Sequence, residues 1–521
     1  MVSASLMSRL KQKCMVLFLA AGMLLGGTTA AQAIDFKATG EWLFGFGLGN
    51  AALNGGKGTP KNDIFSASQR IRMQLDAVAS ENLSGTLFFE IGVQDWGNKD
   101  DGAALGADGV IVKVKNAYID WLVPETDLRL RMGIQALALP NAAGGSAIMD
   151  ADVAGITATY KFTDEVSLSA FWMRPTNDNF GGSTDRFGRN RNDANYLDNI
   201  DIFGLSVPLT FEGIDINPWI AYGIFGRNAL RTPDGGLETS DGVLTSTLLA
   251  NPGHQTQLGG FGSDRAYSSM FFAGLPITVT ALDPVNIEFD VNYGYVEGFG
   301  RTNVVDYKWN RVRRGETKRE GWLIKALVEY KMDWGVPGIF GWYSSGDDGD
   351  VKNGSERMPT IAGGGSFTSF MGLAGSDYWA NGTKGVFYEK NLSYAGTWGV
   401  GLQVRDMTFL EDLSHTFRVA YWGGTNSPDM VKYFNCSADY DLMDGAYDGP
   451  YLTTNDGLLE FNLDNTYKIY ENLSVSLDLG YIVNMMDRGT WARSWTKNPG
   501  NERSFSKHDA WKAQMTFAYT F

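Results

Sequence analysis

Trp511-Lys512-Ala513-Gln514-Met515-Thr516-Phe517-Ala518-Tyr519-Thr520-Phe521 ends the sequence, and every second residue of it is apolar. In a strand, side chains alternate across the sheet, so Trp511, Ala513, Met515, Phe517, Tyr519 and Phe521 share one face. Lys512, Gln514, Thr516 and Thr520 fall on the other face. Such a strand suits a wall with hydrocarbon on one side and water on the other. It also suits the last strand of a soluble sandwich whose apolar face meets a second sheet. The rest of the chain has to separate these two readings.

Working backwards, strand-like runs recur with two kinds of connection between them. Short turns fall at Ser80-Glu81-Asn82, Pro124-Glu125-Thr126-Asp127, Thr163-Asp164-Glu165 and Glu212-Gly213. More follow at Asp283-Pro284, Asp333 to Pro337, Asp406 to Asp412, and Tyr470-Glu471-Asn472. Each is flanked by runs of period two. Arg70, Arg72, Gln74 and Asp76 alternate with Ile71, Met73, Leu75 and Ala77, for example. Long polar stretches intervene at 227–265, 298–320, 344–392, 423–457 and 487–507. Eight hairpins give sixteen strands, and a first strand through Phe36, Trp42, Phe44 and Phe46 plus the last strand make about 18. The expected fold is all-β, a transmembrane antiparallel barrel of about 18 strands with 16 as the alternative count, short periplasmic turns and long extracellular loops. Trp42, Phe44, Trp121, Tyr160, Trp172, Phe211, Tyr222, Tyr330, Tyr421, Tyr467 and Tyr481 stand near strand ends, as interfacial girdles do.

The amino-terminal segment predicts export. Arg9, Lys11 and Lys13 precede an apolar run from Met15 to Leu25, and Ala31-Gln32-Ala33 is a small-x-small cleavage pattern. Residues 1–33 are therefore expected to be a cleaved signal peptide, and 34–521 a single barrel domain. After the signal no apolar run approaches the 20 residues of a membrane helix. The mature chain would hold 41 Lys and Arg (44 less the three in the signal) against 59 Asp and Glu, a charge of −18. That balance argues against nucleic acid as a partner. Cys436 is the single cysteine of the mature chain, so no intrachain disulfide forms.

A barrel this wide encloses water unless something fills it, so inward residues decide what passes. On the second strand these are Arg70 and Arg72, on the fourth Lys113 and Lys115, and on the fifth Arg129 and Arg131. Together they predict a basic wall. Apolar parity on the fourth strand resumes at Ala117, Ile119 and Trp121, which requires a bulge near Asn116. The small, glycine-rich segment from Leu139 to Asp152 is expected to fold inward and narrow the channel, setting Asp150 and Asp152 across from that wall. The competing reading has the charges solvating a wide lumen and pairing with Glu90 or Asp120. Asp347-Asp348-Gly349-Asp350 resembles part of a calcium loop but lacks its full pattern. No cofactor is expected, with calcium at the extracellular loops as the one exception these acids admit.

The ending at Phe521 resembles the carboxy-terminal strand signal of bacterial outer-membrane barrels. Val114-Lys115-Asn116-Ala117-Tyr118-Ile119-Asp120-Trp121 and Arg129-Leu130-Arg131-Met132-Gly133 resemble segments of the homotrimeric outer-membrane porins of sulfate-reducing bacteria. The resemblance implies a homotrimer in the bacterial outer membrane, in contact with its lipid, passing small hydrophilic solutes and ions by passive diffusion. An enzymatic barrel is the chief alternative of another class, beside the exported sandwich or adhesin. A nucleophile needs an adjacent base, whereas His254, His415 and His508 sit on distant segments and no G-x-S-x-G elbow occurs. A non-enzyme is expected. Phe36, Phe44, Phe46 and Phe517 are candidates for the subunit interface.

Overall fold

The structure is a computed structural model. It describes residues 34–50, 54–55, 64–100, 102–106, 112–177, 199–226, 229, 247–250, 267–306, 309, 311–364, 367–368, 394–433, 451–495 and 506–521. The expected signal peptide, His254 and Cys436 lie outside the described residues.

Period-two alternation produces strands throughout. The first five are β1 (Asp35–Asn50), β2 (Ile64–Ser80), β3 (Leu83–Asp95), β4 (Val112–Leu122) and β5 (Leu128–Ala138). β6 (Asp150–Lys161) and β7 (Ser167–Asn177) follow. β8 (Asn199–Ser206, then Leu209–Phe211) and β9 (Ile214–Ile216, then Trp219–Gly226) are each interrupted once. The interruptions fall at Pro208 and Pro218, which have no N–H to give to a ladder. Then come β10 (Tyr267–Val279), β11 (Val285–Val296), β12 (Arg319–Tyr330) and β13 (Val336–Ser344). The last five are β14 (Thr397–Leu410), β15 (Leu413–Gly424), β16 (Gly457–Tyr470), β17 (Leu473–Asn484) and β18 (Ala510–Thr520).

Every neighbouring pair is antiparallel, and β1 pairs with both β2 and β18, so the sheet closes. The result is an 18-strand barrel. A single closed ring has no second sheet to cover an apolar face, which removes the sandwich reading. All eight short turns join consecutive strands at one end. The Asp406 to Asp412 segment is tighter than its sequence suggests: strand pairing continues to Leu410 opposite Leu413 after a register shift between Val404 and Met407. Asp406 and Asp412 both take positive φ there. On β4 the bulge is present, since Phe88 pairs with Asn116 and Phe89 with Val114, leaving Lys115 as the extra residue.

Outward side chains form an exposed apolar band. Phe203, Ile220, Ile339 and Leu402 on four different strands are each about half exposed, far more apolar surface than a water-soluble monomer leaves open. Aromatics mark both margins of the band. Trp42, Trp121, Tyr160, Phe211, Tyr330 and Tyr467 ring the short-turn end, and Tyr222, Trp322, Tyr343, Trp398 and Tyr481 the long-loop end. Such rings sit where headgroups begin.

The interior is not uniformly wet. Toward the long-loop end Trp219, Phe272, Leu323, Phe340, Trp342 and Trp422 point inward and are buried. They pack under inward-folded loop residues, including Leu139, Ile148, Leu249, Met358, Ile361 and Phe367. Trp342 lies 4.3 Å from Trp422 and Phe340 is stacked 4.8 Å from Phe367. One side of the long-loop half is thus filled by a hydrophobic core of folded loops, which narrows the space left for water.

Candidate functional site

The six cations named from sequence lie on β2, β4 and β5, and carboxylates meet most of them. Arg70 is 3.8 Å from Glu41 on β1, and Arg72 donates to Glu90 on β3 at 2.7 Å. Glu90 is also directly opposite Lys113 in the β3–β4 register. Arg129 and Arg131 converge on Asp120 at 3.0 and 2.7 Å, and the Arg131 guanidinium lies over the Tyr118 ring. Lys115 contacts Asp152 at 2.5 Å. The pairings with Glu90 and Asp120 are therefore present. In these contacts six cations face four carboxylates. A charge taken partly out of water is stabilised by a partner, so the wall is a ladder of ion pairs, with Asp76 adding a further carboxylate on β2 held by Gln74 and Thr86.

Asp150 and Asp152 sit differently from their expected place. Both belong to β6 itself, and Asp152 is bonded by Lys115 and by Asn116 Nδ2 at 2.7 Å. Asp152 is thus bonded to the wall itself and does not stand across the lumen from it. Asp150 gives its N–H to Ala362 O at 2.7 Å.

What does reach across is the loop before them, residues 139–149. Leu139, Ala143, Ile148 and Met149 are fully buried. Trp219 Nε1 on β9 donates to Pro140 O at 3.0 Å. Asp290 on β11 accepts from the N–H groups of Ala142 and Ala143, at 3.1 and 2.6 Å. Lys325 on β12, wholly buried, donates to the carbonyls of Ala143 and Gly145 and lies 3.6 Å from Asp290. Since β5 and β11 are six strands apart in the ring, the loop must run inside the barrel to make these contacts. Gly144 and Gly145 both take positive φ at its tip, a conformation that costs glycine nothing. Gly144 O accepts from Tyr394 OH at 3.2 Å, and Gly364 donates to Ser146 O at 2.7 Å. The latch is a buried ion pair gripping backbone.

Nearer the short turns, two guanidinium–carboxylate clusters face one another. Arg129, Arg131 and Asp120 lie on β4 and β5. Arg405 on β14 bonds Glu329 on β12 at 2.6 and 2.9 Å, with Gln403 adding a bond at 2.8 Å. β5 and β14 are nine strands apart in a ring of 18, so these clusters occupy opposite walls. Arg418 pairs with Asp464 at 2.5 Å, Asp478 is opposite Asp464 in register, and Lys512 is buried on the adjoining β18. Sequence reading missed Asp290, Lys325, Glu329 and Arg405. A signal was available: Asn286, Glu288, Asp290 and Asn292 alternate on the inward parity of β11.

No protein-family model matches the chain, and no curated protein is similar to it in sequence. Solved structures match it in overall shape, at low sequence identity. The crystal structure of Acinetobacter baumannii OccAB3 is 12% identical, with a TM-score of 0.48, over 94% of this chain and 99% of that one. Pseudomonas aeruginosa OpdL is 12% identical with a TM-score of 0.47, over 94% and 99%. Pseudomonas aeruginosa OccK5 (OpdH) is 12% identical with a TM-score of 0.46, over 94% and 98%.

Chemically, the lumen offers fixed charges, amides and hydroxyls. His415 and Asn465 fall on the outward parity of β15 and β16, His415 Nδ1 lying 2.7 Å from Asn465 Oδ1. Among the described residues no group of three or more His, Cys, Asp or Glu is placed to hold a metal ion. Acids of 347–350 take part in local hydrogen bonds. Asp347 accepts from Tyr451 OH at 2.7 Å and Ser355 Oγ at 2.5 Å, and Asp348 accepts from Asp350 N at 2.7 Å. Burial pushes the nearby Glu356 carboxyl up, and Asp348 and Asp347 add to this through like charge.

Proposed function

We propose that this chain is a bacterial outer-membrane porin, a channel through which small hydrophilic solutes and ions diffuse passively. A closed ring with apolar, exposed outward residues and charged inward ones supports this reading best, because that arrangement separates lipid from a wet path. Export by a cleaved signal peptide at 1–33 and assembly as a homotrimer belong to the same proposal, as the resemblance to porins of sulfate-reducing bacteria implies. Phe36 on β1 is 61% exposed, which suits a lipid or subunit contact. Arg70, Arg72, Lys113, Lys115, Arg129 and Arg131 would set the channel's ion preference together with the acids they meet, Glu41, Glu90, Asp120 and Asp152. Asp150 and Asp152 act in this scheme as rim and wall acids. Calcium at the extracellular loops stays a minor part of the proposal.

Reconstitution in a planar bilayer tests it. Stepwise ohmic conductance is expected from the folded chain. Changing Arg129 and Arg131 together to Ala leaves Asp120 without its partners, so the anion-to-cation permeability ratio should fall by about threefold or more, since a charged wall concentrates counter-ions. Insertion without conductance would rule out an open channel, and an unchanged ratio would remove these arginines from the selective path.

A further inference from the structure

We propose that the inner wall formed by β14 to β18 is a binding track for uncharged, polyhydroxylated solutes, oligosaccharides above all. The inference deepens the porin reading and rests on it, since it names what the lumen holds on the way through.

Register lines the track up. Thr408 on β14 is directly opposite Ser414 on β15, and Ser414 is opposite Thr466 on β16. Thr466 is in turn opposite Ser476 on β17, and Ser476 opposite Thr516 on β18. Five neighbouring strands thus set their hydroxyls side by side, one about every 4.8 Å. Their parity is inward, because on β15 to β18 the alternate positions hold exposed Phe417, Phe461, Leu477 and Met515. The row climbs from the short-turn mouth. Ser414 is one residue from the start of β15, whereas Thr516 is four residues from the end of β18.

These hydroxyls are not spent on one another. On β6 and β7 a similar pair does close, with Thr159 and Ser169 directly opposite and 2.9 Å apart. Among the described residues no hydrogen bond joins any two of the five in the row. Thr408 makes a long bond to Asp406 O at 3.4 Å, and Thr516 accepts from Gln514 at 3.3 Å. Thr408 and Thr466 are exposed and the other three half-buried, so water or a solute reaches all of them.

The groups on either side fit the same ligand. Above the row, Asp478 stands between Asp464 and Gln514 in register. Arg418 holds Asp464 at 2.5 Å, but among the described residues no donor reaches Asp478. Below the row lies a cavity of about 430 Å³ lined by Ser414, Thr466, Lys468, Ser474 and Thr520, within the range of small-molecule sites, about 300–1,000 Å³. No described carboxylate comes within ion-pair distance of Lys468. A hydroxyl both donates and accepts, so a row of free hydroxyls matches a ligand that is itself a row of hydroxyls. Asp478 takes hydroxyl protons, while Lys468 gives its own. An apolar solute would displace water from every one of these groups and satisfy none, which is costly.

The barrel in a planar bilayer is titrated with maltotriose and with a polyethylene glycol of matched size, which has ether oxygens but no hydroxyl donors along its length. Maltotriose should reduce the current saturably, and the glycol only in proportion to its concentration. S414A/T466V/S476A should weaken the sugar block by about tenfold, the scale of losing several ordinary hydrogen bonds. It should keep the heat-sensitive compact form on a gel, because no bond within the protein is lost. T159V/S169A, which removes the closed pair on β6 and β7, should leave the block in place. Saturation-transfer NMR of the barrel in a sugar-free detergent reads binding without current, and the maltotriose signal should vanish in the triple variant. Equal effects of sugar and glycol, a block or NMR signal that survives the triple variant, or an equal loss in T159V/S169A would each overturn the proposal. A wild-type chain that inserts without conducting rejects the porin reading instead, and the NMR signal then decides the track by itself.

Discussion

Lys325→Met raises single-channel conductance, and Asp290→Asn does the same to a smaller extent. Lys325 is fully buried between the carbonyls of Ala143 and Gly145 and the Asp290 carboxylate. Methionine fills the same volume but donates nothing, so two carbonyls lose their bonds and Asp290 keeps only the N–H groups of Ala142 and Ala143. Removing one member of a buried pair costs about 3–5 kcal/mol, because the other charge is left without its partner. Each 1.4 kcal/mol is a factor of ten in a local equilibrium, so a loss of about 3 kcal/mol favours the undocked loop by about a hundredfold.

With loop 139–149 released, the path widens and current noise rises, which bilayer recording reads directly. A twofold or greater increase in conductance is expected, roughly the scale of removing one obstructing segment from a pore. Lys325→Met combined with Asp290→Leu is the companion test. An apolar pair of similar volume often replaces a buried ion pair without loss, so the loop should settle back partway and conductance fall toward the original. A folded single variant with unaltered conductance and noise would show that the ion pair does not govern the loop.

The second large effect concerns the seam. Deleting Phe521 should cut the yield of folded, heat-modifiable barrel in liposomes by about tenfold, and Phe521→Ala by less. The backbone of Phe521 both donates to and accepts from Gly40, at 3.1 and 2.9 Å. Its ring lies outward over Gly40 and stacks on Tyr519 at 6.1 Å. Deletion therefore removes two hydrogen bonds at the strand that closes the ring, and an unpaired backbone group facing hydrocarbon costs several kcal/mol. Gly40→Val attacks the same place from β1, because any Cβ there would overlap the Phe521 ring. Its folding defect should match that of the deletion. Normal yields for both would mean that the seam is held by the β1–β18 ladder above this point.

Architecture was largely legible because it depends on local regularities. Hydrocarbon outside and water inside demand period two along every strand. Each short turn needs its own Asp, Asn, Gly or Pro. Those two signals count strands and assign faces without any knowledge of distant contacts. The slip of parity between Lys115 and Ala117 was readable for the same reason.

The candidate site was legible only in its cations. Arg72 and Arg131 declare themselves by parity, but their partners Glu90 and Asp120 come from adjacent strands whose register depends on bulges at Gly92 and Lys115. Asp150 and Asp152 belong to strand β6 rather than to the crossing segment before it. In the structure, the backbone of Ala142 and Ala143 makes the crossing.

From the sequence alone came a membrane-facing ring of strands, its handed-out faces and its basic residues, since these follow from side-chain alternation over neighbouring positions. Only the tertiary structure decided that the lumen is part-filled, that its charges are mostly paired, and that Asp290 and Lys325 hold a loop from the far side. Those contacts join residues more than 140 positions apart, and nothing in a local pattern specifies which distant backbone a buried charge will meet.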